Sequence, residues 1–327
     1  MTIQEVVKCR SCTELFPQDR QKSEELYREL MKKFHPDVCG DSLSSQAAAV
    51  INSLYGRVKY PPKQHDMRIA DGPLVRCFKE YDRCDGQMYF SHSVVTFVLD
   101  SGLDEALDGK LVKRYNGWEI SLGCETPESV RAEAKKFLPD ISEVMGIPGG
   151  RTVLKVKCSG DELPLCEALD FFKGCAGREV SKHFAWIISR LLGMCCYAAA
   201  GGFVLNCLAE ENLLIDPVEH TVRLAGGWWF SAAEGGRIFG ACQRVYDAMP
   251  SSSKSDGIAR GIIDLECVKA ICRRIFPDDC PAAIREFSRS VCADDPFEEL
   301  ENWEKVINKA FGGKFFTPMK LCINDIF

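Results

Sequence analysis

Along residues 19–34, DRQKSEELYRELMKKF, apolar side chains return at every fourth position: Leu26, Leu30 and Phe34, with Tyr27 and Met31 beside them. That period lays one stripe along a helix, and Arg28, Lys32 and Lys33 line its margin. Asp19 or Ser23 is placed to cap the start. Pro36 ends the helix, because proline disfavours helical geometry in the residue before it. A second helix is predicted from about Ser45 to Val58, with Val50, Ile51, Leu54 and Val58 as its apolar face. The two runs, joined by the polar HPDVCGDS, predict a helical hairpin. Upstream, EVVKCRSCTELF marks a first helix poorly. YPPKQHD at 60–66 is a short proline-containing connector and a domain boundary.

Beyond it the period changes from helical to strand-like. SVVTFVLD (93–100), KLVKRY (110–115) and TVLKVKC (152–158) are β-branched runs bounded by Gly, Asp and Pro, with one helical segment, PESVRAEAKKFL, at 127–138. From about residue 163 helices dominate: ELPLCEALDFF, SKHFAWIISRLLGMCCYAAA, IARGIIDLECVKAICRRIF, PAAIREFSRSVCA and PFEELENWEKVINKAF. SSSKS at 251–255 reads as a flexible loop. Strands first and helices later predict an α+β chain, with a small sheet-rich lobe before a helical one.

Composition narrows the class. At 327 residues, with 46% hydrophobic and 27% charged side chains, the chain suits two globular domains. Its net charge of −6 divides unevenly: residues 1–63 hold ten Lys/Arg against eight Asp/Glu, a net of +2, and the rest a net of −8. No general polycation is on offer, so neither nucleic acid nor an anionic membrane is expected as a partner. The start MTIQEVVK has no apolar core of signal-peptide length. The most apolar stretch, Trp186 to Ala200, contains Arg190 and falls short of a bilayer span. Eighteen cysteines without regular spacing then read as free thiols in a reducing compartment, and the expected location is cytoplasmic. Cys9 and Cys12 form a lone CxxC with only Cys39 and His35 near in sequence to complete a tetrahedral set. No metal is expected there.

The first candidate chemistry lies at His35-Pro36-Asp37. Pro36 stops the helix and stiffens the turn, His35 and Asp37 project polar groups from it, and Asp37 is able to bond local amides. Arg28, Lys32 and Lys33 supply a positive face that steers docking to an acidic surface. The combination YRELMKKFHPD, a loop and SSQAAAVINSLYGRV resembles the J-domain: its basic second helix, HPD loop and third helix, over roughly residues 5–60. The resemblance implies a DnaK-type ATPase chaperone as partner, docked through His35, Pro36, Asp37, Arg28, Lys32 and Lys33. The loop after HPD, VCGDSLSS, lacks the lysines of many family members.

A second resemblance covers about residues 75–315. GFVLNCLAEENLLIDPVEHTVRLAGGWWF (202–230) is similar to the catalytic-loop-to-DFG stretch of protein kinases, with Leu208, Glu211, Asn212, Leu213, Leu214, Ile215 and Asp216 in order. In this frame Asp264 of IIDLECVKAI would bond the catalytic-loop backbone. The departures fall on the chemistry. Phosphoryl transfer needs one carboxylate to orient the acceptor hydroxyl and another to hold magnesium. Their positions here are Cys207 and Gly226. Lys113 falls at the phosphate-pairing lysine, Glu133 is its ion-pair candidate with Glu128 second, and Asn212 persists; no GxGxxG loop precedes them, and Gly86 stands alone. Cys207 reads as a buried thiol. Trp228 and Trp229 are expected to fill the vacated metal site or the lobe interface, with an exposed client-binding patch as the other reading.

The sequence thus predicts a small all-α J-domain-like helical hairpin at 1–62, a linker at 63–72, and a bilobal protein-kinase-like fold with a sheet-rich N-lobe at 73–160 and a helical C-lobe at 161–327. The expected function is that of a co-chaperone that recruits and stimulates a DnaK-type chaperone, with a catalytically dead kinase-like body binding an unknown client. The alternative is a nucleotide-sensing or scaffolding pseudokinase with weak, metal-independent ATP binding through Lys113, Glu133 and Asn212. No cofactor is expected.

Overall fold

A computed structural model describes residues 1–70, 72–100, 128–175, 177–313 and 316–327. Lys113, with the KLVKRY run, lies outside the described residues. The chain divides into two units: Met1–His65 with Pro318–Phe327, and Asp66–Thr317.

The first unit is helical. The poorly marked start is two short helices, α1 (Ile3–Lys8) and α2 (Cys12–Leu15). Each opens with a capping box, Thr2 with Glu5 and Ser11 with Glu14, in which hydroxyl and carboxylate satisfy amides that a helix start leaves unpaired. The predicted hairpin follows as α3 (Arg20–Phe34) and α4 (Ser44–Lys59). Asp19, not Ser23, caps α3, accepting from the Lys22 amide at 2.9 Å; the Ser23 hydroxyl instead donates to the Pro17 carbonyl. Leu30 and Phe34 meet Ala47, Ile51 and Leu54 in a core closed by Ile3, Val6, Leu15 and Phe16. Each buried Leu, Ile, Val or Phe here contributes roughly 1.5–3 kcal/mol. Tyr27 stacks on Tyr55 at 4.1 Å between ring centres and donates to Asn52.

The last residues were expected in the helical lobe, yet Pro318–Phe327 belongs to this first unit. Its short helix Ile323–Ile326 carries the fully buried Asp325 carboxylate to the start of α2. Asp325 accepts from the Ser11 hydroxyl at 2.6 Å, the Cys12 amide at 2.8 Å and the Arg57 guanidinium at 3.1 Å. A carboxylate at a helix start with three donors is a strong tether, and nothing local in the sequence announces it.

The second unit begins with a small antiparallel pair, β1 (His65–Arg68) and β2 (Leu74–Cys77), where a linker was expected. A five-stranded antiparallel sheet follows: β3 (Lys79–Arg83), β4 (Gly86–Phe90), β5 (Val94–Leu99), β6 (Asp140–Ile147) and β7 (Arg151–Lys157), in spatial order β3-β4-β5-β7-β6. β5 and β7 are the predicted β-branched runs, and their pairing puts them inside the sheet. The helix Glu128–Lys135 is α5.

The helical part is centred on Arg178–Ala200, long and apolar enough by length and composition to cross a membrane. Phe184, Ile187, Ile188, Leu191, Leu192 and Met194 are buried along it, as in the core helix of a globular lobe. Helices Ile262–Ile275 and Pro296–Phe311 pack on it, joined by a buried Lys269–Glu299 ion pair at 2.6 Å. Residues 251–255, expected as a loop, belong to the helix Ser251–Asp256, started by Pro250 and stopped by Gly257 in the left-handed region. Helical region, sheet-rich lobe and helical lobe follow in the order of an α+β, kinase-like fold.

Candidate functional site

Two places bring candidate residues together, one in each unit. In the first, α3 stops at His35, whose amide still donates to the Met31 carbonyl. Its own carbonyl accepts from Val38 and Cys39 at 2.9 and 2.8 Å, so the triplet is a tight turn. The Asp37 amide donates to His35 Nδ1 at 3.2 Å. The Asp37 carboxylate also faces His35 Nδ1, at 3.5 Å. Pro36, Asp37 and Val38 are exposed, with the Asp37 side chain 85% exposed. Arg28 pairs with Glu24 at 2.5 Å, Lys33 donates to the Met1 carbonyl at 3.1 Å, and Lys32 is exposed. A rigid turn at the end of a basic helix face thus projects an imidazole and a carboxylate.

The second place is built around the stretch 203–230. Strand Phe203–Val204 leads into Leu205-Asn206-Cys207, and Asp264, in the first turn of Ile262–Ile275, accepts from the Leu205 and Asn206 amides at 2.7 and 2.8 Å. Burial drives the Asp264 carboxyl up, to about 7, against the pull of those two amides. Asn206 takes a positive φ of 50° and ties the loop onward, donating to the carbonyls of Phe230 and Gly240. Cys207 is fully buried, and burial first, then the Asp264 charge, pushes its thiol well above the usual range. Asn212 donates to the Cys207 carbonyl at 2.7 Å, and its own carbonyl accepts from Ala225 and Gly226.

The other end of the Asn212 side chain meets Arg83. Oδ1 accepts from Arg83 Nη2 at 2.7 Å, and a second guanidinium nitrogen donates to the Glu211 carbonyl at 3.0 Å. Arg83 pairs with Asp85 through two bonds at 2.8 and 3.1 Å, both side chains almost fully buried. Trp229 Nε1 donates to Asp85 at 3.0 Å. The guanidinium lies 5.3 Å from the centre of the Phe97 ring, against which Trp229 packs edge-on. Arg83 and Asp85 flank the β3–β4 turn, which closes because Gly86 holds a φ of 132° where any Cβ would collide with the Val98 carbonyl.

Phe97 also accounts for Gly226. A Cβ there would lie 2.7 Å from the ring, and a Cβ on Gly227, at a φ of 74°, would strike the Asn212 amide. Phe97 sits on β5, the middle strand of the five-stranded sheet. Both tryptophans are buried, so the reading of an exposed tryptophan patch is corrected: Trp229 packs on Phe97 and bonds Asp85.

Of the sequence-predicted residues, Asn212, Cys207 and Gly226 come together. Glu133 does not join them: it lies exposed on α5, paired with Lys136 at 2.7 Å. Arg83, Asp85 and Phe97 were missed. The paired charges of DRCDG, closed by a glycine, were the available signal.

A scan against protein-family models finds no match, and a search of curated proteins finds none. Among solved structures, the chain is similar to one titled "Structure of vaccinia related kinase 3", at TM-score 0.48 and 13% identity, over 76% of this chain and 92% of that one.

Proposed function

We propose that this chain is a J-domain-type co-chaperone whose kinase-like body carries no phosphoryl transfer and serves to bind a client or regulatory protein. The observation that carries the reading is the His35-Pro36-Asp37 turn, exposed at the end of the basic helix face while both flanking helices are packed. The partner is a DnaK-type ATPase chaperone, met by Arg28, Lys32 and Lys33 and engaged by His35 and Asp37. Joining both functions in one chain raises the effective concentration of client near chaperone, to roughly millimolar for short flexible tethers.

The body's lack of chemistry is argued from charge. Magnesium on a nucleotide needs anionic oxygens, and the places for two carboxylates hold a buried thiol and a glycine. The amide oxygen that remains, on Asn212, is bonded to a guanidinium already neutralised by Asp85. The alternative of a nucleotide-sensing scaffold draws on that same Asn212, and would require Arg83 to leave it.

Single-turnover ATP hydrolysis by a DnaK-type chaperone from the same source is the test. Stimulation by the full-length chain, lost in Asp37→Asn and reduced in the Lys32→Ala, Lys33→Ala double variant, supports the reading. No stimulation by the wild-type chain rejects it and leaves the body as the working part.

A further inference from the structure

Two cysteine motifs sit at opposite ends of the chain with the same spacing: Cys9-Arg10-Ser11-Cys12 and Cys322-Ile323-Asn324-Asp325. The fold of the first unit superposes their last and first ligands. Cys12 Sγ lies 3.5 Å from Cys322 Sγ, which lies 3.3 Å from Asp325 Oδ2, and ligand atoms of the three residues all fall within 4.8 Å of one another. We propose that Cys12, Cys322 and Asp325 are a zinc site that fastens the C-terminal segment to the start of α2.

Geometry, charge and chemistry support it separately. Zinc holds thiolate sulfur at about 2.3 Å and carboxylate oxygen at about 2.0–2.2 Å, so neighbouring ligands of a tetrahedral ion stand about 3.5–3.8 Å apart. The observed 3.5 and 3.3 Å fall within a few tenths of those edges. The thiol protons occupy this space: Cys12 and Cys322 share a sulfur hydrogen bond, and the Cys322 thiol donates to Asp325. One dication replaces two protons, as both thiols ionise, two Zn–S bonds form and two protons pass to solvent. The charge of the cluster is unchanged, and Arg57 at 3.1 Å continues to balance Asp325. Two soft thiolates with one carboxylate select zinc over the hard oxygen-seeking cations.

The supporting contacts are in place. The Cys12 and Cys322 amides and the Ser11 hydroxyl hold Asp325 at 2.8, 3.1 and 2.6 Å, as outer contacts orient a metal ligand. Cys9 is not counted, because its thiol donates to the Glu5 carbonyl at 3.3 Å.

The test uses the full-length chain, purified reduced, with zinc measured by mass spectrometry and Co²⁺ as the spectroscopic probe. One equivalent of zinc is expected, and one equivalent of cobalt with thiolate-to-cobalt absorption in the near ultraviolet. Both are lost in Cys12→Ser and Cys322→Ser, affinity falls at least tenfold in Asp325→Asn, and Cys9→Ser keeps the metal. Circular dichroism of the isosteric serine variants checks that they fold. Absence of metal from the reduced wild type overturns the site, as does uptake unchanged in Cys322→Ser, which assigns the metal to other thiols. A Cys12–Cys322 disulfide in a chain that takes up neither ion likewise overturns it, in favour of a redox latch.

Discussion

Arg83 donates to the Asn212 side-chain oxygen at 2.7 Å, a bond between residues 129 positions apart that sets a buried cation against the 203–230 stretch. The bond is part of a closed set with Asp85 and Trp229, so the place is filled from within.

Arg83→Ala is therefore expected to leave the Asp85 carboxylate buried beside a single indole donor. Breaking one side of such a pair costs about 3–5 kcal/mol. Urea denaturation of wild type and variant reads this loss directly. In the wild type, magnesium and ATP are expected to leave the melting temperature unchanged; a saturable rise with ATP would instead restore the nucleotide-sensing reading.

Placing at Gly226 the aspartate that the kinase resemblance implies should harm the fold and return no activity. In Gly226→Asp the new Cβ meets the Phe97 ring, and overpacking of this kind costs about 1–3 kcal/mol before the buried charge is counted. A variant as stable as wild type that hydrolyses ATP would show that the Phe97 contact is not what excludes the residue.

Asp264 gives the second unit a pH signature. Its folded carboxyl is raised to about 7 from the ordinary value of 3.8, so between these values the native state holds a proton that the unfolded chain releases. Its stability contribution is complete below about pH 4 and lost as pH rises through 7, at a slope of at most about 1.4 kcal/mol per unit. Chemical denaturation should show wild type gaining on Asp264→Asn as pH falls from 7 to 5. An equal gap at both values would mean that the two amides hold the carboxylate ionised throughout.

Asp325→Ala tests the tie between the chain ends. It removes acceptors for Ser11, the Cys12 amide and Arg57, and the ion pair is discounted because Arg57 is 34% exposed. A loss of about 1–3 kcal/mol is expected in the first unit, from the cap and the charged hydrogen bonds. Thermal melts followed by hydrogen exchange at α1–α4 would locate it, and loss confined to residues 66–317 would refute it.

What was legible in the sequence is what local periodicity encodes. Leu26, Leu30 and Phe34 repeat at the helical period because α3 buries one stripe, and β5 and β7 read as apolar runs because they lie inside a sheet. β3, with KEYDR at a sheet edge, and the largely exposed DISEVMGI of β6 bury too little to announce a strand. The two capping boxes of α1 and α2 were readable as Thr-x-x-Glu and Ser-x-x-Glu, a signal masked by the cysteines between them. Arg83 with Asn212 and Cys12 with Cys322 were beyond reach for another reason. Each joins segments more than 120 residues apart, and no pattern in one segment depends on the other.

The first unit is made from two segments more than 250 residues apart, and synthesis runs in one direction. Residues 1–65 leave the ribosome well before Pro318–Phe327. At roughly 5–20 residues per second, the intervening chain takes on the order of 10–50 s to make. Through that interval the Cys12 amide and the Arg57 guanidinium wait without Asp325, so the hairpin that bears His35 gains these contacts only once Pro318–Phe327 has been made.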